Sequence, residues 1–343
     1  MKVNDFNYSY PEELVAQAPL PERDASKMML LSRAQKTFAH HHVRELAAFL
    51  REGDVLVLNN TKVAPVRLFG TRGGREKIEL LVVEPSDTAN VWRCLIKKAK
   101  NIRPGEKFFF GMQATAIAKG REDIYLLVEF RSNALKLAMN NHGVPPLPPY
   151  IKRTEKDAYT EADFERYQTT FAEKFGSAAA PTAGLHLSQN LLAEIKQKGV
   201  EVCTITLHVG IDTFAPVRVD TLEEHKMHGE KISISSETAE LITRAKHEGR
   251  RIIAVGTTTT RALESAWEDN KLRDGQWTTN IFITPGYEFK VIDGLLTNFH
   301  QPKSTLIMMV SALVGKDFLF KCYEEAIKQD YRLFSFGDCM LIV

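Results

Sequence analysis

Only four cysteines occur in 343 residues, Cys94, Cys203, Cys322 and Cys339, and they lie far apart with no CxxC pair. That spacing suggests neither a zinc-ligand set nor a disulfide framework, and the thiols read as small buried hydrophobes. No metal site is expected. Long apolar runs are also missing: the longest, TLIMMVSALVG at 305–315, is too short to span a bilayer. The opening MKVNDFNYSYPEEL has a lysine but no apolar stretch after it, so a cytoplasmic chain without a membrane partner is expected. A GxxxxGK[ST] phosphate loop, a GxGxxG turn, HExxH and GxSxG are all absent. The ordinary nucleotide-binding and hydrolase readings lose support with them.

Charge of one sign is scarce too, the formal net charge being +2. Its distribution is uneven, however: residues 62–107 carry 11 Lys or Arg against 5 Asp or Glu. The dense part, RCLIKKAKNIRPGEK, fits either a face that neutralises phosphates or a solvated sheet edge protected by lysines. With 44% hydrophobic residues, the chain can bury a substantial core.

Short β-type runs follow one another after NNTKVAPVRLFG: KIELLVVE, NVWRCLIK, EKFFFG, QATAIAK and DIYLLVEF, separated by turn residues. They predict an antiparallel β module. A short helix, ALKLAMNNHG, then leads to PPLPPYI, read as stiff extended linker. Beyond it helices and strands alternate. SQNLLAEIKQKG is a helix capped by Ser188 and stopped at Gly199, followed by the strand VEVCTITLHVG. SETAELITRAKHEG, RRIIAVG and RALESAWED repeat the logic, and GLLTNF, a helix from Ser304, DFLFKCYEEAIKQ and the strands RLFSF and CMLIV complete it. The strand GDVLVLNN in the first sixty residues belongs to the same α/β texture. The expected organisation is one α/β domain of residues 1–62 plus 151–343, with an inserted β domain at 63–150.

Open α/β sheets bind ligands at strand ends, and four polar clusters stand there. AAAPTAGLHL carries Thr182, Ala183, Gly184 and His186 before a helix. LHVGIDTFAPV places His208, Gly210 and Thr213 after a strand, with His228 and Glu230 nearby in KMHGE. IAVGTTTTRALES sets Thr257, Thr258 and Arg261 at a helix start, where hydroxyls and amides can hold an anion. TNFHQPKSTLIMMV adds Asn298, His300 and Ser304. Any one cluster alone is better explained as a tight loop or a cap; their convergence points to a site.

Taken in order, NNTKVAPVRLFG, PPLPPYI, AAAPTAGLH, LHVGIDTFAPV, MHGE, IAVGTTTTRALES, PGYEF, TNFHQPKSTLIMMVSALVG and FSFGDCMLI closely resemble the S-adenosylmethionine:tRNA ribosyltransferase-isomerase family of queuosine biosynthesis. The likeness spans nearly the whole chain, departing at Leu187, Ile211, Asp212 and Gln301. It implies an irregular barrel-like, mixed-sheet α/β domain interrupted by a small antiparallel β-barrel. It implies also a tRNA partner carrying a 7-aminomethyl-7-deazaguanine wobble base, and S-adenosylmethionine as co-substrate, with no permanently bound cofactor. The reaction would leave epoxyqueuosine in the tRNA and release adenine and methionine.

On that reading His186, His208 and His300 are acid-base candidates, with Glu230 as an alternative, and which is the general base stays open. Thr257, Thr258 and Arg261 are candidates for the methionine carboxylate or ribose hydroxyls, and Thr182, Ala183 and Gly184 for adenine. Gly210, Thr213, Asn298 and Ser304 complete the substrate set. Lys62, Arg67, Lys97, Lys98 and Lys100 are candidates for anticodon-loop phosphates. A monomer is expected. The competing readings are a non-catalytic tRNA-binding protein and conventional methyl transfer, the latter disfavoured by the missing glycine-rich turn.

Overall fold

The run VLVLN at Val55–Asn59 is buried at every position, as a strand covered on both faces must be. It is a central strand of a nine-stranded mixed sheet. Glu201–Leu207 and Ile252–Val255 flank it in parallel, and Gly294–Asn298 lies parallel beyond Ile252–Val255. Cys339–Ile342 then runs antiparallel to Gly294–Asn298 and parallel to Lys27–Ser32, and the exposed hairpin strand Thr37–His42 forms that edge. Glu230–Ile234 and Gly275–Thr279 extend the other edge antiparallel. Four adjacent parallel strands therefore point their carboxyl ends the same way.

This computed structural model describes residues 1–96, 101–153, 158–210, 217–227 and 229–343. The chain divides into two compact units: Met1–Lys62, Gln168–Lys174 and Ala180–Val343 form the first, and Val63–Tyr167 with Phe175–Ala179 the second.

In the first unit, Leu191 and Ile195 of the helix Gln189–Gln197 pack with Leu46, Leu56, Leu58 and Val255 in one apolar cluster. Ser188 caps that helix by accepting the Leu191 amide at 3.1 Å, and Ser235 and Ser304 cap Ser236–His247 and Thr305–Val314 in the same way. Gly199, at φ +84°, ends the first of these helices in the left-handed region. Thr305–Val314 is buried on nearly every side, which accounts for its mostly apolar sequence.

The second unit is a closed antiparallel barrel. Its strands run in the spatial order Arg67–Arg72, Glu76–Pro85, Val91–Ile96, Tyr125–Phe130, Ala114–Glu122 and Lys107–Phe110, and the last pairs back onto the first. Leu80, Val82, Phe108, Phe110, Val128 and Phe130 fill it. At Gly70 an added Cβ would stand 2.5 Å from the Phe109 carbonyl oxygen, so the closing pair needs glycine there.

Two local readings of the sequence differ from the structure. PPLPPYI is not a linker between units but part of the second one: Leu147 is fully buried and its carbonyl accepts from Arg67 Nη2 at 2.9 Å. RLFSF is not a strand either. The Asp338 carboxylate accepts the Lys27 and Arg332 amides, and Phe334 turns into the left-handed region at φ 70°. The nearby bond from Arg332 draws the backbone into a loop in place of a sheet ladder, and the distant one from Lys27 fastens that loop to the sheet.

Candidate active site

The parallel strands end at Asn59, Leu207, Val255 and Asn298, and polar side chains converge just past them. Asn59 fastens two ends together. Its amide donates to the Leu207 carbonyl at 3.0 Å and to Thr258 Oγ1 at 3.3 Å, while Oδ1 accepts the Leu207 and Thr61 amides at 3.1 Å each. Thr61 Oγ1 is in turn 2.8 Å from His208 Nδ1. The sequence marked NNT only as part of a motif, and neither Asn59 nor Thr61 was singled out. An apolar strand ending on two amides was the available signal.

Gly256, at φ +91°, turns the strand Ile252–Val255 into the helix Thr257–Ser265 and donates its amide to the Leu296 carbonyl at 2.8 Å. The four threonines that follow divide into two pairs. Thr259 and Thr260 donate their hydroxyls back to the Val255 and Gly256 carbonyls at 2.7 and 3.3 Å, so they serve the helix start. Thr257 and Thr258 line a small cavity instead. Thr182, Thr297, Asn298 and His300 add its remaining polar lining, and Ala180, Pro181, Ala183 and Leu306 its apolar wall. Its volume is about 20 Å³, room for roughly one water molecule. An adenosyl group can occupy it only if the lining yields or the ligand lies across the mouth. A roomier groove of about 890 Å³ lies against Ser236–His247 and contains none of these residues.

The three histidines differ in setting. His300 lines the cavity with its Nε2 2.8 Å from Thr297 Oγ1. Tyr323 accepts its amide and Tyr8 donates to its carbonyl, and burial pushes the imidazole down to about 3, because a charged ring there would lose its hydration. His208 is half-buried, and burial, then the Lys231 ammonium, lower its pKa as well. His186 is buried in the single turn Thr182–His186, with Nε2 3.1 Å from Asn298 Nδ2. Thr182 donates to Asn298 Oδ1 at 3.1 Å. Gly184 in that turn leaves no space for a side chain: an added Cβ would meet Phe171 at 2.8 Å and Thr169 at 2.9 Å.

Glu230 opens the strand Glu230–Ile234, buried and ion-paired with Arg261. Its other oxygen accepts the Gly210 amide at 3.3 Å. Arg261 Nε donates to the Ile281 carbonyl, and Nη2 is buried without a hydrogen-bond partner among the described residues. Ser304 is committed to its helix cap and to the Gln301 carbonyl. Arg67 lies in the second unit, donating to Tyr159 Oη and the Leu147 carbonyl, with Glu79 at 3.6 Å. Lys62 is half-buried. Thr213, His228, Lys97, Lys98 and Lys100 lie outside the described residues. Among the described residues no group of three or more His, Cys, Asp or Glu could hold a metal ion, and no helix is long and apolar enough to cross a membrane.

This geometry can be set beside known proteins. Residues 3–342 match the family described as queuosine biosynthesis protein. The chain is 46% identical, over the full length of both, to the S-adenosylmethionine:tRNA ribosyltransferase-isomerase of Geotalea uraniireducens (strain Rf4). The crystal structure of S-adenosylmethionine tRNA ribosyltransferase from Thermotoga maritima is similar with a TM-score of 0.57 at 34% identity, covering 99% of this chain and 100% of that one.

Proposed function

The chain belongs to the queuosine biosynthesis family of S-adenosylmethionine:tRNA ribosyltransferase-isomerases, and from that membership we propose its reaction and the residues that carry it. It is a transferase that modifies tRNA. The substrate is tRNA bearing 7-aminomethyl-7-deazaguanine at the wobble position. The ribosyl part of S-adenosylmethionine passes to the base amine as an epoxycyclopentanediol, giving epoxyqueuosine, with adenine and methionine released. Full-length identity to the Geotalea relative is the observation that supports this most.

The positive sulfur acidifies the adjacent C5′, so the first need is a neutral base. His208 and His300 are both held neutral near physiological pH by burial. His300 lines the cavity and His208 is the more exposed of the two; both are candidates to take the proton. Thr257 and Thr258 face the cavity to bind ribose hydroxyls, and Arg261 Nη2 is the donor for the methionine carboxylate. Thr182 and Ala183, which line the cavity, frame adenine, and Gly184, packed against Phe171 and Thr169, shapes the turn that carries them. Glu230, paired with Arg261, positions that guanidinium. Lys62, Lys97, Lys98 and Lys100 supply charge for tRNA phosphates, whereas the partners of Arg67 favour a structural role.

Incubating the purified protein with the modified-base tRNA and S-adenosylmethionine tests this, with mass spectrometry following adenine, methionine and the enlarged base. All three products are expected. Binding of tRNA without any of them supports the non-catalytic reading instead, and S-adenosylhomocysteine would indicate methyl transfer.

A further inference from the structure

Asn298 lines the cavity and His186 does not, although the two are bonded and both buried. The orientation of the amide settles what the ring does. Asn298 Nδ2 lies 3.2 Å from the Phe334 carbonyl oxygen and 3.5 Å from that of Asp338. A carbonyl can only accept, so the group facing it must be the NH2; the flipped amide would set oxygen against oxygen. His186 Nε2 stands nearer to that NH2 than either carbonyl, at 3.1 Å, and an N–H there would set donor against donor. That nitrogen is therefore the acceptor and carries no proton, which places the ring's hydrogen on Nδ1. Oδ1 is thereby turned to the Thr182 hydroxyl at 3.1 Å.

We propose that His186 is a positioning residue: it holds the Asn298 amide so that Oδ1 takes the Thr182 proton and leaves the Thr182 oxygen as a fixed acceptor in the cavity. The donor it would receive is the exocyclic amine of the adenine that Thr182 frames. Phe334 is the second clamp on the same amide. Its left-handed backbone, φ 70°, is an unfavourable conformation for a bulky residue, and its carbonyl also takes the Gly337 amide at 3.0 Å. Proton transfer through Nε2 would require His186 to give up the bond that orients Asn298.

The activity part rests on the ribosyl-transfer reading, so two measurements are combined. In the first, His186→Gln, which keeps an acceptor facing Asn298, is compared with His186→Leu. His186→Gln is expected within about threefold of native turnover, and His186→Leu to lose about tenfold or more, both melting near the native temperature. Equal inactivity of the two variants, or full activity of His186→Leu, overturns the proposal. In the second, nitrogen-15 correlation spectra of the native chain, assigned through the His186 variants, report which ring nitrogen is protonated. Hydrogen on Nδ1 is expected, and hydrogen on Nε2 overturns the proposal even if a variant fails to fold. A native chain that forms no epoxyqueuosine defeats the proposed reaction alone, and the spectra still decide the role of His186 toward Asn298.

Discussion

The guanidinium of Arg261 and the carboxylate of Glu230 form an ion pair in which each side chain is only 5% exposed. It joins the helix Thr257–Ser265 to the strand Glu230–Ile234. Removing one member strands the other charge away from water, at a cost of about 3–5 kcal/mol. Arg261→Ala and Glu230→Ala should each lower stability to urea by about that much, and the double variant by clearly less than the sum. Additive losses would show that the two do not act as a pair.

Glu264 ties a loop to the same helix. Its carboxylate accepts the Lys290, Val291 and Ile292 amides at 2.9–3.0 Å and the Tyr287 hydroxyl at 3.2 Å. Glu264→Gln replaces one acceptor oxygen by a donor and loses charge assistance, so a destabilisation of about 2–3 kcal/mol is expected. Calorimetry at neutral pH checks it.

Burial of His300 predicts a pH effect of definite sign. Its imidazole is held down to about 3 in the folded chain, against an ordinary value of 6.5. Between these values the unfolded chain binds a proton that the folded chain does not, so this contribution is complete above about pH 6.5 and is lost as pH falls. At pH 5 the loss is on the order of 2 kcal/mol. Denaturant titrations at pH 5 and 7.5 should differ by that much less in His300→Asn than in the native chain.

The threonine run offers an internal control. Thr257→Val should raise KM for S-adenosylmethionine about fivefold to tenfold, the worth of one hydrogen bond. Thr260→Val, whose hydroxyl serves the Gly256 carbonyl, should leave KM unchanged and lower the melting temperature slightly. The reverse pattern would sink the assignment of Thr257 to substrate.

For tRNA, replacing Lys97, Lys98 and Lys100 with Gln should flatten the dependence of log affinity on log salt by about two. Filter binding across a salt series measures it, and an unchanged slope removes these lysines from the interface.

The sheet was readable because its strands are runs such as VLVLN and IIAV, apolar throughout, and because Ser188 and Gly199 carry helix signals that depend only on neighbours. The barrel strands were readable as short β-type runs separated by turn residues, several of them alternating in burial. RLFSF misled because its composition suits a strand, while the carboxylate that bends it lies outside the run, at Asp338. PPLPPYI misled because proline reports stiffness and says nothing of burial. At the site, local sequence could find His186 and Asn298 in separate motifs, but the orientation of the Asn298 amide depends on the Phe334 carbonyl, a contact between distant segments. Glu230 carried no sign of Arg261 for the same reason.

The pairing of Val55–Asn59 with Glu201–Leu207 bears on how the chain assembles. These neighbours in the sheet are separated in sequence by the whole second unit, and each doubling of such a loop adds only about 0.6 kcal/mol of closure entropy. The search for so distant a contact is nevertheless slow. Within the second unit, Arg67 pairs with Val144 and Leu68 with Gly143, so a folded barrel ties its own near and far strands together. Once it has formed, the chain between the two sheet strands behaves as a much shorter tether. A barrel that forms first would therefore shorten the search that the larger sheet, and the cavity at its carboxyl edge, must make.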